Sequence, residues 1–232
     1  MGDFMDFFDL HCDTLTECMD DGDSLLKNKR DIDFERGKIF GRWNQVFAVF
    51  IPDSMDDSLV ESYFDSACDF YLSELKKKGD FFPILSAEDV RGHSRGVMLA
   101  MESSRGVGSL ERLEKLYERG LRLITLTWNH KNRAAGGCDE GGGLTDWGRE
   151  LVSKMEKLGI VTDVSHLSDR SFYDLCEFSD APFIASHSDA RAVHNEVRSL
   201  TDEQIKIIIE RGGLIGLNFY DRFLGGNGGR EE

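Results

Sequence analysis

The chain has 232 residues, with 43 acidic against 28 basic side chains and a formal charge of −15. A surplus of that sign repels phosphate backbones and anionic lipid, which argues against nucleic acid or a membrane surface as a partner. With 40% hydrophobic residues, 24 Gly and only 3 Pro, the composition is that of a globular chain able to build a sizeable core.

At the start, Met1-Gly2-Asp3-Phe4-Met5-Asp6 shows no basic segment followed by an apolar run, so no secretory signal is expected. No apolar stretch approaches the ~20 residues of a spanning helix. The 5 cysteines are odd in number and form no Cys-x-x-Cys pair, which points to a reducing cytoplasm. Strand-like runs then recur along the chain at Phe7–Leu10, Gln45–Ile51, Gly96–Met101, Leu121–Thr127, Ile160–Val164, Pro182–Ser186 and Leu214–Phe219. Several are short and nearly continuously apolar, the pattern of parallel strands covered on both faces.

Helical stretches lie between them. Asp57–Lys78 carries Val60, Phe64, Ala67, Phe70-Tyr71 and Leu75 at helical spacing. Thr145–Leu158 follows a glycine-rich segment and carries Leu151, Met155 and Leu158 on one face; Ser109–Glu118, Ser168–Phe178 and Thr201–Arg211 each open on a capping hydroxyl, and Thr201-Asp202-Glu203-Gln204 is close to a capping box. Strand then helix, repeated, predicts an α/β fold on a parallel sheet, either an open doubly wound sheet or a barrel. No linker or composition break marks a second domain.

Chemically useful residues follow the strands: His11 and Asp13 after the first, Glu102 after the third, Asn129 and His130 after the fourth, Asp163 and His166 at the fifth, His187 at the sixth and Asn218 in the seventh. In a barrel all strand C-termini open on one face, so these residues would converge on one pocket. Side chains two apart on an extended segment point the same way, so His11 and Asp13 could share an ion, with Cys12 turned the other way into the core. Nitrogen and oxygen donors without thiolate suit zinc and would also accept cobalt or manganese. Each feature alone has a plainer reading. Asp163 would orient a histidine from behind, His93 and His194 would be solvated loop residues, and Gly136-Gly137 with Gly141-Gly142-Gly143 would form a mobile loop, lacking the spacing of a phosphate cradle. The metal reading is carried by four strand ends that each present a ligand type.

Together, Asp9-Leu10-His11-Cys12-Asp13-Thr14, Gln45–Phe50, Met101-Glu102, Leu123–His130, Asp163-Val164-Ser165-His166, Ser186-His187-Ser188 with Arg198, and Asn218-Phe219-Tyr220 resemble the membrane (renal) dipeptidase family of binuclear zinc metallopeptidases, from about Phe8 onward. The resemblance implies a (β/α)8 TIM-type barrel of the amidohydrolase group. It implies two Zn2+ ions, one bound by His11 and Asp13, one by His166 and His187, with Glu102 bridging both. A hydroxide bridging the metals would cleave the peptide bond of a dipeptide. His130 would hydrogen-bond the substrate carbonyl, and Arg198 would hold its terminal carboxylate; without the resemblance Arg198 reads as an exposed arginine leading a helix. A homodimer is also implied. Family members place a catalytic aspartate in an Asp-Phe-Asp-Gly-like motif on the eighth strand, which this sequence lacks. The expectation is therefore residues 1–232 as a single metallo-dependent hydrolase barrel domain, C-terminally incomplete and truncated after the seventh strand. Unpaired strand edges and an exposed apolar seam would then make it poorly soluble or self-associating. Two alternatives stay open: a metal-binding but inactive fragment, or an amidohydrolase for another amide or ester. Glu102 in place of a bridging lysine favours the dipeptidase.

Overall fold

The longest apolar strand, Arg42–Phe50, has seven consecutive buried residues, so neither of its faces meets water. Such a strand needs neighbours at both edges and layers on both faces, which a parallel sheet supplies. The computed structural model describes residues 5–77 and 81–225 and divides into two compact units, Met1–Leu123 and Ile124–Glu232. The fold is mixed α/β with parallel strand pairing.

In the first unit β1 (Asp6–Asp9), β2 (Arg42–Phe50), β3 (Phe82–Pro83) and β4 (Arg95–Glu102) are parallel, in the order β1-β2-β4 with β3 also on β4. β5 (Leu121–Thr125) follows β4 in the sheet and carries the chain into the second unit. The register sets Asp9 against Gln45 and Phe50 against Glu102, so the chemically useful residues lie at or just beyond strand C-termini. Helices α1 (Thr14–Asp21), α2 (Phe34–Gly37), α3 (Asp57–Lys76), α4 (Ala87–Gly92) and α5 (Leu110–Glu118) intervene. α3 buries Val60, Phe64, Ala67, Cys68 and Tyr71, and the Tyr71 hydroxyl donates to the Val97 carbonyl at 3.1 Å. Phe70 and Leu75, expected on that face, are only half-buried, and Glu74 is buried instead. Glu74 is compensated by Ser24 Oγ at 2.7 Å, the Leu25 N–H at 2.9 Å and the Lys77 ammonium. Lys78, the expected helix end, lies outside the described residues.

An aromatic cluster closes the other end of the sheet. Phe34 stacks on Phe81 at 3.8 Å and meets Trp43 and Phe47 edge-on at 6.4 and 5.8 Å. Gly37 makes room for it: a Cβ there would sit 1.9 Å from the Trp43 ring.

In the second unit the end of β5 lies beside β6 (Val161–Asp163). Helices α6 (Asp146–Leu158), α7 (Asp169–Phe178) and α8 (Asp202–Glu210) begin after Thr145, Ser168 and Thr201, whose hydroxyls each accept a first-turn N–H. The expected strands Pro182–Ser186 and Leu214–Phe219 do not form as such. They make parallel bridges, Asp163 with Ile184 and Ala185 with Ile215, held by bonds such as Val164 N–H to Ile184 O at 2.8 Å and Gly216 N–H to Ala185 O at 2.8 Å. Pro182 has no N–H to donate, and Gly213 and Gly216 weaken an extended run, which accounts for bridges in place of ladders. β5 likewise stops at Thr125, two residues short of the expected Thr127.

The glycine-rich segment is packed, contrary to the expectation of a mobile loop. A Cβ on Gly136 would lie 2.2 Å from the Gly141 carbonyl oxygen, and one on Gly137 would lie 2.4 Å from that of Asn129. Ser168 and Ser171 hydroxyls donate to the Gly142 and Gly136 carbonyls at 2.6 and 3.0 Å. Glycine is required there because backbone lies directly on backbone. Among the described residues no helix is long and apolar enough to cross a membrane.

Candidate functional site

Each unit gathers its own group of chemically active side chains. In the first, β1 ends at Asp9, and its carboxylate accepts the His11 N–H at 3.1 Å. Cys12 resumes pairing with β2, donating to Val46 at 3.1 Å and accepting from Ala48 at 2.9 Å. His11 and Asp13 therefore flank a laddered residue, and Asp13 also occupies the N-cap position of α1. The His11 Nε2 atom lies 3.4 Å from Asp13 Oδ1 and 3.5 Å from Glu102 Oε2. Glu102 ends β4 with its side chain 3% exposed. Ser103, next in the chain, has φ +81°. Two carboxylates gathered about one imidazole, one of them buried, form an electron-rich pocket suited to a cation.

In the second unit the group is larger. His166 follows β6 with φ +69°; it and Ser103 are the two non-glycine positive-φ residues among those described. Such conformations cost roughly 1–3 kcal/mol and collect at functional sites, where surrounding contacts enforce them. His166 Nδ1 sits 2.7 Å from Asn129 Oδ1, an oxygen that also lies 3.6 Å from Cys138 Sγ. The Nε2 atoms of His166 and His187 are 2.9 Å apart. His187 Nδ1 lies 2.7 Å from Ser186 Oγ. Behind it Asp163, fully buried, receives four donors. Ser165 N–H at 3.0 Å and Ser186 N–H at 2.9 Å go to Oδ1; Thr125 and Ser186 hydroxyls, each at 2.6 Å, go to Oδ2.

Arg198 is buried, 6% exposed, unlike the solvent-facing arginine its sequence context alone suggests. Its guanidinium donates to Ser188 Oγ and to the His187 carbonyl, both at 2.8 Å, which sets it beside His187. His130 is exposed, in the bend after β5. Its loop holds the Lys131–Glu140 ion pair at 2.7 Å. The Glu140 carboxyl is kept below the usual range first by the Lys131 hydrogen bonds and last by the charge of His130. His93 is half-buried, stacked on Phe82 at 4.1 Å. Sequence reasoning placed Asn129 among the strand-end residues without a specific role and did not single out Ser186. The available signal was a hydroxyl or amide beside each strand-end histidine.

The donors fit a divalent metal. They are imidazole nitrogens and carboxylate oxygens without thiolate, a set suited to zinc. Parallel strands in an α/β fold, with imidazole and carboxylate groups at or after their C-terminal ends, define the class as an α/β scaffold carrying candidate metal donors. The membrane dipeptidase family (peptidase family M19) matches residues 3–230, and the chain belongs to that family. An uncharacterized protein encoded in the pqqA 5′ region of Klebsiella pneumoniae is 34% identical over 161 residues, 64% of this chain; the chain spans 59% of that relative's length. Among solved structures, dipeptidase AC, a metallo peptidase of family M19, superposes with a TM-score of 0.87 at 27% identity, covering 98% of this chain and 76% of its own. A metallo peptidase from Rhodobacter sphaeroides, liganded with a phosphinate mimic of the dipeptide L-Ala-D-Ala, gives 0.84 at 26% identity, covering 96% of this chain and 76% of its own.

Proposed function

We propose that the protein is a zinc-dependent dipeptidase whose strands are successive staves of a TIM-type barrel. In this reading His11 and Asp13 would hold one ion and His166 and His187 a second, with the Glu102 carboxylate as a further donor. The observation that carries the reading is the approach of the His166 and His187 Nε2 atoms to 2.9 Å, with each ring anchored through its Nδ1. Two basic nitrogens brought this close fit a shared cation. When bound, zinc would supply Lewis-acid polarisation of a carbonyl and lower the pKa of a bound water to ~7.

The chain's own residues orient the substrate. Arg198, pre-set by Ser188 and the His187 carbonyl, pairs with the C-terminal carboxylate of the dipeptide, which measures substrate length. His130 donates a hydrogen bond to the carbonyl oxygen as negative charge develops there. Five cysteines, all free thiols, support a cytoplasmic location, and a homodimer completes the reading.

The test is hydrolysis of L-Ala-L-Ala and L-Ala-D-Ala by the purified protein with added zinc. Cleavage that His187→Ala lowers by more than the ~10–100-fold typical of losing a ligand's outer partner supports the proposal. Cleavage unchanged by His187→Ala contradicts it.

A further inference from the structure

We propose that Asp163 is a positioning residue that sets the tautomer of His187 through the Ser186 hydroxyl, leaving the Nε2 lone pair of His187 available for metal. The inference rests on His187 being a metal ligand and adds the device that keeps it one.

The argument is proton arithmetic. A carboxylate only accepts hydrogen bonds, and a hydroxyl has one proton to give. Asp163 Oδ2 accepts the Ser186 hydroxyl at 2.6 Å, so the single Ser186 proton is spent there. The 2.7 Å contact between Ser186 Oγ and His187 Nδ1 must then run the other way, with Nδ1–H donating to Oγ. A neutral imidazole with its proton on Nδ1 presents a lone pair at Nε2, the atom that approaches His166. Asp163 is itself fixed in polarity. Its Oδ1 takes two backbone N–H groups, Ser165 and Ser186, which can only donate.

That last point makes Asp163→Asn informative. The two backbone donors require the amide oxygen on their side, so the amide NH2 must face the Thr125 and Ser186 hydroxyls. Ser186 then accepts from the new amide and turns its own proton to His187 Nδ1. The ring responds by carrying its proton on Nε2, where it blocks the metal. One isosteric change thus reverses the whole chain of hydrogen bonds.

The direct readout is 15N NMR of histidine-labelled, metal-stripped protein at a pH where the rings are neutral, with His187 assigned by its loss in His187→Gln. Wild type is expected to show His187 protonated at Nδ1 and D163N at Nε2. Zinc titration gives the second readout. D163N should weaken one zinc equivalent by ~10–100-fold, the usual effect of an outer-partner mutation. The D163N/S186A double variant should regain affinity toward that of S186A, because the reversed hydroxyl is gone. A purely structural role for Asp163 expects the double variant to bind no better than D163N. Nε2–H on His187 in wild type, unchanged zinc affinity in D163N, or no regain in the double variant overturns the proposal. Should D163N fail to fold, the wild-type tautomer decides. Wild type that binds no zinc refutes the metal reading, whereas the tautomer judges the Asp163 device separately.

Discussion

Asp169 opens α7, and both its carboxylate oxygens accept the Arg191 guanidinium at 2.8 Å, with Gln204 Nε2 adding a bond at 3.1 Å. Arg191 also donates to the Ser199 and Val197 carbonyls at 2.9 and 3.1 Å, so this pair ties α7 to the loop that carries Arg198. The Arg191 hydrogen bonds hold the Asp169 carboxyl below its usual range. A group lowered in the folded state stabilises fully above its unfolded value, ~3.9, and loses that contribution as pH falls through the lower folded value. Because the carboxylate is about half exposed, at 48%, solvent screening limits the pair to ~1 kcal/mol or less. Urea unfolding of wild type and Asp169→Asn is expected to differ by a constant amount above pH ~4 and to converge below it. A difference that grows in acid contradicts the assignment.

At the same scale, the candidate donors were readable because histidine and acidic residues stood after apolar runs. What could not be read was the polarity of the network behind them. That Ser186 donates to Asp163 and accepts from His187 follows only once distances are known. The burial of Arg198 was equally invisible, since its neighbours Asn195, Glu196 and Ser199 are polar in sequence and bury it only through the tertiary fold.

Among the elements, the close fit of Gly37 against Trp43 makes the clearest stability prediction. A Cβ there would lie 1.9 Å from the ring, and the ring is wedged among Phe34 and Phe81. Gly37→Ala is expected to destabilise the first unit by ~1–3 kcal/mol, the usual cost of overpacking a filled core. Chemical denaturation followed by tryptophan fluorescence reads it, and a neutral result would mean that the cluster yields freely.

Helices announced by a hydroxyl cap were legible. Ser109, Ser168 and Thr201 cap as their positions suggested, Thr201 with Gln204 completes a capping box, and Thr145 caps α6 as well. α3, capped by Asp56, was legible instead from its apolar spacing, whereas three short helices were missed. α1 starts at Asp13 with no side-chain cap bond, and α2 and α4 are too short to show an apolar period, although α4 opens on Ser86 in a capping box with Asp89. Apolar runs marked β2 and β4 well because strand pairing there is long. The runs at Pro182–Ser186 and Leu214–Phe219 carried the same apolar signal, but pairing depends on N–H groups and glycine content as well as hydrophobicity.

For the whole molecule, two opposed surface properties decide solution behaviour. Leu214, Leu217, Phe219, Tyr220 and Leu224 expose 53–80% of their surface within one short segment of the second unit. Exposed apolar surface promotes association. The net charge of −15 opposes it, and salt screens that repulsion over ~10 Å at 0.1 M. Sedimentation velocity is therefore expected to show self-association that increases from low salt to ~0.5 M sodium chloride. A monomer at every salt concentration would show that this segment is not adhesive.

The central claim is the proposal that His11, Asp13, His166 and His187 are metal ligands. It is tested most directly by titrating the metal-stripped protein with zinc and counting bound ions per chain. The account expects two tight equivalents in wild type, one lost in the His166→Ala/His187→Ala double variant and one in the His11→Ala/Asp13→Ala double variant. No tight binding in wild type, or full stoichiometry in both double variants, would contradict it.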